Sequence, residues 1–119
     1  MRRWPKIPAR LWRLPSGVFL LARYDGRPAG CVGVKLVEAH SAEIKRMFVR
    51  HDLRGLGGGS RLVGAAESAA RELGATTVRL DTRHDLVEAR ALYSKHGYVE
   101  TPPYSGSLYA DHWFTKSLG

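Results

Sequence analysis

Apolar and polar residues follow strand-like patterns in the first part of this chain. The segments Val18–Tyr24 and Ala29–Val37 are mostly apolar, and the turn-forming sequence Asp25-Gly26-Arg27-Pro28 separates them. Two strands joined by so short a turn predict an antiparallel hairpin. A third strand is predicted at Ala42–Val49, whose residues alternate between two sets: Ile44, Arg46 and Phe48, and Glu43, Lys45, Met47 and Val49.

The spacing becomes helical after residue 60. Apolar residues recur every three or four positions from Leu62 to Leu73, and Gly74 follows where a helix C-cap belongs. The remaining pattern predicts a strand, a shorter helix and two final strands, at Thr76–Leu80, Leu86–Lys95, Tyr98–Thr101 and Leu108–Lys116.

The predicted element order is therefore βββαβαββ, an α/β fold with an α+β mixed sheet and helices packed on it. We predict a single domain over residues 17–119, with a βαβ unit across residues 42–81. Ligands of such sheets bind at the carboxyl ends of the strands. Residues 1–16 are predicted to be an irregular basic arm, because Pro5, Pro8 and Pro15 oppose a continuous helix.

Composition narrows the class of protein. The 119 residues are 44% hydrophobic and 25% charged, as in a globular domain. No apolar run approaches the ~20 residues that span a membrane. Cys31 is the only cysteine, which excludes an internal disulfide and suits the cytoplasm. The five histidines have no ligand spacing, so we predict no metal site.

The formal net charge of +8 favours an anionic ligand. A nucleic acid is one interpretation, but no aromatic-interleaved basic motif or recognition-helix pattern accompanies the arginines. Several arginines instead flank a glycine-rich segment, which favours a small polyanion: Arg46, Arg50, Arg54 and Arg61.

That glycine loop, residues 54–60, carries the strongest chemical signal. It lies between the third predicted strand and the first predicted helix and contains Gly55, Gly57, Gly58 and Gly59. Glycine permits positive φ and lets the backbone approach a ligand closely. The helix that follows adds unpaired N–H groups and the positive end of its dipole. This combination predicts a phosphate or pyrophosphate site.

Known phosphate loops fit this sequence to different degrees. A nucleotide-triphosphate loop requires Lys-Ser/Thr after the last glycine, and Ser60-Arg61 does not match. A dinucleotide fingerprint is closer, since Gly55-x-Gly57-x-x-Ser60 nearly fits and Asp81 ends the next strand. However, the strand before the loop is half polar, and the chain is too short for a second βαβ half.

A third family fits better. Arg54-x-x-Gly57-x-Gly59 resembles the acetyl-CoA pyrophosphate loop of the GNAT N-acetyltransferase superfamily. The segment from Ala89 through Leu92-Tyr93 to Gly97-Tyr98 resembles that family's A-x-x-L-Y-x-x-x-G-F/Y helix. The strand 43–49 resembles its cofactor-contacting strand. The resemblance covers about residues 17–118 and implies a GNAT-like acyl-CoA N-acyltransferase fold.

The resemblance also implies a set of site residues. Coenzyme A would lie with its pantetheine arm along the backbone of Met47, Phe48 and Val49. Its pyrophosphate would be held by the N–H groups of the glycine loop: Arg54, Gly55, Leu56, Gly57, Gly58, Gly59 and Ser60. Tyr93 matches the tyrosine that protonates the departing thiolate. Glu43 and Asp81 match alternative positions of a general base, of which Glu43 is favoured, acting through a bound water.

Two departures from the family pattern concern the rest of the site. Leu86 occupies a position where many members have a cofactor-contacting asparagine. The family usually opens with a strand and one or two helices that roof the acceptor site, whereas only the 1–16 arm precedes the hairpin here. The segment 102–114 either borders the acceptor pocket, through residues such as Asp111 and His112, or is a plain hairpin loop.

The expected function is therefore transfer of an acetyl group from acetyl-CoA to a primary amine of a small molecule or protein. The alternatives are a coenzyme-binding module with weak catalysis and, third, a small dinucleotide-binding fragment. A homodimer is compatible with all of these.

Overall fold

The structure is a computed structural model that describes Trp4 and residues 9–14, 17–82, 87–106, 108 and 110–119, with the backbone alone for 9–14 and 87–88. Seven strands form one mixed sheet in the order β1-β2-β3-β4-β5-β7-β6. The strands are β1 Ala9–Leu14, β2 Gly17–Tyr24, β3 Arg27–Glu38, β4 Ser41–Val49, β5 Thr77–Thr82, β6 Val99–Thr101 and β7 His112–Ser117. The helices are α1 Gly58–Glu72 and α2 Val87–Lys95, and a 3-10 turn spans His51–Leu53. In the part of the chain described, no helix is long and apolar enough to cross a membrane.

The predicted hairpin is β2–β3, and its turn residues Asp25 and Gly26 both have positive φ, at 49° and 81°. That conformation matches the twist of two-residue hairpin turns. One prediction was wrong here: residues 9–14 are not irregular but form β1, which pairs antiparallel with β2. The observed order is thus ββββαβαββ, with one strand before the hairpin. Prolines flank this strand at positions 8 and 15 and leave its six residues free to pair.

The centre of the sheet positions the site. β4 and β5 run parallel, as the βαβ interpretation predicted, but only Ser41, Ala42 and Glu43 pair with β5. Beyond Glu43 the carboxyl-terminal half of β4 has no partner on that side in the described sheet. α1 covers β2, β3 and β4 with a fully buried apolar face: Leu62, Val63, Ala66 and Ala70. The two parallel strands are therefore paired only at the start of β4 and separate after Glu43.

A β-bulge at Arg46 overturns the predicted alternation of β4. The pairing with β3 jumps from Lys45–Gly33 to Phe48–Cys31, so two β4 residues oppose one β3 residue. Arg46 has a φ of 56°, in the left-handed region. Consequently Phe48 does not share the buried face of Ile44, and it is 51% exposed. The bulge turns residues 47–49 toward the gap beside β4.

Two other boundaries also differ from prediction. α1 begins at Gly58 rather than near Leu62, so the end of the glycine loop is the first turn of the helix. β7 begins at His112 rather than Leu108, and Leu108 is 93% exposed. The apolar residue therefore belongs to the β6–β7 loop.

Candidate functional site

A cleft of about 750 Å³ lies where β4, the glycine loop and α2 meet. Nine of the ten residues predicted to bind the cofactor line it, from Met47 to Val49 on β4 and from Arg54 to Ser60 in the glycine loop, with Leu56 the exception. The cleft also contains residues that sequence reasoning missed: Leu53, Ala89, Leu92 and Lys95. The last three lie three residues apart on α2, so a helical-wheel projection of α2 would have placed them on one face of the helix.

The glycine loop presents unsatisfied backbone donors. Gly55 and Gly57 have φ of 84° and 88°, which L side chains rarely adopt. In the described parts of the chain, no backbone carbonyl accepts a hydrogen bond from the N–H groups of residues 55–60. The first N–H that is satisfied in this way is that of Arg61, which donates to the Gly57 carbonyl at 3.2 Å. Free donors at a helix N-terminus form an anion site.

Packing limits two other glycines, Gly58 more strictly than Gly59, because the Trp4 ring is rigid and the Leu92 methyl group is the end of a flexible side chain. A Cβ on Gly58 would lie 2.5 Å from the Trp4 ring, and a Cβ on Gly59 would lie 2.9 Å from Cδ2 of Leu92. Both contacts are shorter than real Cβ atoms tolerate. The loop is therefore held between Trp4 on one side and α2 on the other.

The end of α2 adds polar groups to the cleft. His96 Nε2 lies 3.0 Å from Ser60 Oγ, and Lys95 lines the cleft beside it. Arg54 also lines the cleft and donates from Nε to the Val49 carbonyl at 3.3 Å. Two cations and the free loop donors give this end of the cleft the chemistry of a polyphosphate site.

Tyr93 is buried, 6% exposed, on α2. Its ring packs against Tyr98 and Phe114, with centroids 5.9 and 6.1 Å away. Burial, and secondly the Asp81 charge, raise the pKa of Tyr93 to about 12. The phenol therefore remains a hydrogen-bond donor at any physiological pH.

Glu43 is buried at the point where β5 leaves β4. Lys45 Nζ lies 2.9 Å from its Oε1, and Arg79 Nε lies 3.5 Å from its Oε2. Arg79 also contacts Glu38 at 3.1 Å. The Glu43 carboxylate is thus held by two cations, closer to a structural ion pair than to a freely available base.

Asp81 lies on β5, paired with Trp113 of β7. Its charge acts on two phenols, since it contributes to the raised pKa of both Tyr93 and Tyr104. The Tyr104 pKa is raised first by burial and then by Glu43 and Asp81, while Arg79 opposes the shift. Tyr104 also stacks under the Arg79 guanidinium at 4.5 Å, and its buried hydroxyl has no hydrogen-bond partner among the described residues.

The structure thus brings the predicted residues into two neighbouring groups. The cofactor set surrounds the cleft, and Tyr93, Asp81 and Glu43 lie on the elements around the gap between β4 and β5. Tyr104, from the segment predicted as either pocket border or plain loop, lies among the carboxylates. In the described chain, no three acidic, histidine or cysteine side chains group as metal ligands. Leu86 lies outside the described residues.

Comparison with known proteins assigns the family. A sequence model of the acetyltransferase (GNAT) family matches residues 2–98. An uncharacterized N-acetyltransferase of Schizosaccharomyces pombe is 36% identical over 99 residues, covering 82% of this chain and 61% of that protein. An IAA acetyltransferase of Azospirillum brasilense is 36% identical over 91 residues, covering 76% and 60%. The chain thus spans about three fifths of the length of these curated relatives.

The fold comparison agrees. A GNAT family acetyltransferase of Elizabethkingia anophelis, solved with acetyl-CoA bound, superposes with a TM-score of 0.74. The two sequences are 20% identical, and the match covers 87% of this chain and 77% of the other. The family finding favours the acetyl-CoA loop over the dinucleotide fingerprint.

Proposed function

Because this chain belongs to the acetyltransferase (GNAT) family, we propose that it is an N-acetyltransferase that uses acetyl-CoA and a primary amine. One observation carries the proposal: the bulge at Arg46 turns residues 47–49 to the same cleft as the unsatisfied N–H groups of residues 55–60. The cleft thus combines free N–H donors from the loop with the edge of a strand.

Coenzyme A fits these residues by its chemistry. Its pyrophosphate suits the N–H groups of the glycine loop, and a further phosphate suits Lys95 or Arg54. Backbone groups of Met47 to Val49 would hold the amide-containing arm and polarise the thioester carbonyl. The bound thioester supplies the acetyl group. The chain must then orient the amine, accept its proton and stabilise the leaving thiolate.

Tyr93 is proposed to donate a hydrogen bond to that thiolate. With a pKa of about 12, it lies about 3.5 units above an ordinary thiol. Full proton transfer from the phenol alone is thus uphill by about 5 kcal/mol. A donated hydrogen bond, with proton transfer coupled to the arriving amine proton, is the role that this environment supports.

Asp81 is proposed as the base, with Glu43 as the alternative that the sequence favoured. Both oxygens of Glu43 face cations, whereas Asp81 acts on the Tyr93 phenol itself. Asp81→Asn is expected to lower kcat/KM about 100-fold or more near neutral pH, and a higher pH that deprotonates the free amine should restore part of it. Glu43→Gln should lower the unfolding free energy and reduce the rate less.

Steady-state kinetics of both variants from about pH 6 to pH 10, beside urea unfolding, separates the two roles. If Glu43→Gln carries the pH-dependent loss and Asp81→Asn does not, Glu43 is the base. Measuring acetyl transfer to a panel of amines identifies the acceptor. The panel includes IAA, because the relative from Azospirillum brasilense is named an IAA acetyltransferase.

Calorimetry with acetyl-CoA tests the proposal as a whole. Binding with thiol release in the presence of an amine supports the enzyme, and binding without turnover supports the module with weak catalysis. No binding overturns both. The cytoplasmic location stays a prediction, which cell fractionation would test. The homodimer also stays a prediction, which analytical sedimentation would test.

A further inference from the structure

Trp4 touches the glycine loop although it lies far from it in sequence. Its indole Nε1 donates to the Leu56 carbonyl at 2.7 Å, a short bond between residues 52 positions apart. The side chain is 8% exposed and belongs to the buried apolar cluster. A tryptophan from the predicted arm is thus part of the core beside the loop.

The ring occupies the space above the first turn of α1. A Cβ on Gly58 would meet its Cη2 and Cζ2 atoms at 2.5 and 2.7 Å. On another edge it packs against Tyr24 of β2, with ring centroids 4.8 Å apart at 63°. Trp4 is therefore wedged between the sheet and the loop, and does not line the cleft.

The hydrogen bond orients one peptide group of the loop. In a trans peptide the C=O of Leu56 and the N–H of Gly57 point in opposite directions. Holding that carbonyl on the indole therefore turns the Gly57 N–H away from Trp4. Leu56 lies between Gly55 and Gly57, where the backbone is least restricted by its own side chains.

We infer that Trp4 is a positioning residue for the coenzyme A loop: it anchors the Leu56 carbonyl and Gly58 so that the loop N–H groups are ordered before coenzyme binds. The inference rests on the proposed function. An ordered loop loses less entropy when it binds its ligand, so the anchor contributes to affinity without touching the ligand.

Trp4→Phe tests the hydrogen bond, because it keeps an aromatic ring and removes the N–H. We expect the Kd for coenzyme A to rise about 5- to 10-fold, the effect of one lost hydrogen bond. The KM for acetyl-CoA should rise equally, while kcat and the KM for the amine stay constant. A residue that only supported the fold would change all three parameters together with the melting temperature.

A double-mutant cycle tests the packing. Gly58→Ala is expected to weaken coenzyme binding in the unsubstituted chain, because its Cβ meets the Trp4 ring. In a Trp4→Ala background the same Cβ has room, so the second substitution should have a smaller effect than the first alone. Gly64→Ala is the matched control on α1, since a Cβ there meets nothing within 4 Å.

Backbone ¹⁵N order parameters of residues 55–60 in the coenzyme-free protein give a readout that does not depend on coenzyme binding. Lower order parameters at residues 55–60 in Trp4→Phe, with unchanged values in the rest of α1 and in β2, support the inference. Unchanged order parameters at residues 55–60, or an unchanged Kd, in Trp4→Phe overturn it and leave the proposed function intact. If the unsubstituted chain does not bind coenzyme A, the proposed function fails first, and the inference fails with it.

Discussion

At the scale of single residues, Tyr93 allows function to be tested apart from packing, because Tyr93→Phe keeps the buried ring and removes only the hydroxyl. We predict that Tyr93→Phe lowers kcat about 100-fold, at the low end of general-acid effects because the phenol pKa is high. The Kd for acetyl-CoA should change little, because the proposed hydrogen bond strengthens on the departing thiolate and not on the bound thioester. The measurement is steady-state kinetics with calorimetry of the coenzyme.

The pH dependence of the two rates, with and without the Tyr93 hydroxyl, is the control for this prediction. With a pKa of about 12, Tyr93 stays protonated from about pH 6 to pH 10. The ratio of unsubstituted to Tyr93→Phe rates should therefore be constant across that range. A ratio that declines above pH 8 would mean that the phenol titrates earlier and that its burial does not hold it neutral.

Single residues also mark the limit of what the sequence predicts about the site. The motif found Gly55 and Gly57, whose positive φ is a local property of the chain. It attributed Gly58 and Gly59 to ligand approach, whereas each meets a distant side chain, Trp4 or Leu92. Trp4 was missed because a contact across 52 residues leaves no periodic signal.

At the scale of elements, hydrophobic patterns predicted the long, regular strands and helices. They did not predict the features that depend on pairing between strands, which are β1 and the β4 bulge. β2, β3, β4, both helices and β5 were predicted within a few residues. β1 has flanking prolines and is defined by its pairing with β2. The β4 bulge was missed because alternation assumes one residue per partner, and two β4 residues oppose Val32. The bulge is the feature that opens β4 to the coenzyme cleft.

A buried polar network joins three elements away from the cleft. Glu67 of α1 accepts hydrogen bonds from Tyr98, which precedes β6, at 2.9 Å and from Lys116 of β7 at 3.0 and 3.1 Å. We predict that Lys116→Met lowers the unfolding free energy by about 2–3 kcal/mol, because it leaves the Glu67 carboxylate buried without its cation. The partial exposure of Lys116, 24%, keeps the loss below that of a fully buried pair.

The double variant Glu67→Leu with Lys116→Met controls for lost packing. It removes both charges, so its unfolding free energy in urea should exceed that of Lys116→Met alone, despite the unpaired Tyr98 hydroxyl. Both variants lack the lysine, so they differ only at Glu67. A double variant less stable than the single one would mean that Glu67 stabilises the fold even without its cation, for example through its bond to Tyr98, and would contradict the argument from an uncompensated charge.

At the scale of the whole molecule, three tyrosines, Tyr93, Tyr98 and Tyr104, each have a raised phenol pKa. Burial is the first cause for Tyr93, Tyr98 and Tyr104, and neighbouring carboxylates are the second. Tyr93 on α2 and Tyr98 before β6 are close in sequence, whereas Tyr104 comes from the β6–β7 loop and is brought near the same carboxylates only by the fold. Their neutral forms are part of the folded state, and alkaline pH should therefore act on the molecule as a unit.

We predict that the free energy of unfolding is insensitive to these phenols below pH 10 and falls as the pH rises further. Above pH 10 an unfolded tyrosine releases its proton while the folded Tyr93, with a pKa of about 12, retains it. The unfolded state then binds fewer protons, so stability decreases with pH. Tyr93 alone accounts for about 2 kcal/mol by pH 11.5, and Tyr98 and Tyr104 act in the same direction. Urea unfolding at stepped pH should give a shallower decline for Tyr93→Phe than for the unsubstituted chain. Parallel declines would contradict the raised pKa, because lysine deprotonation changes both proteins equally.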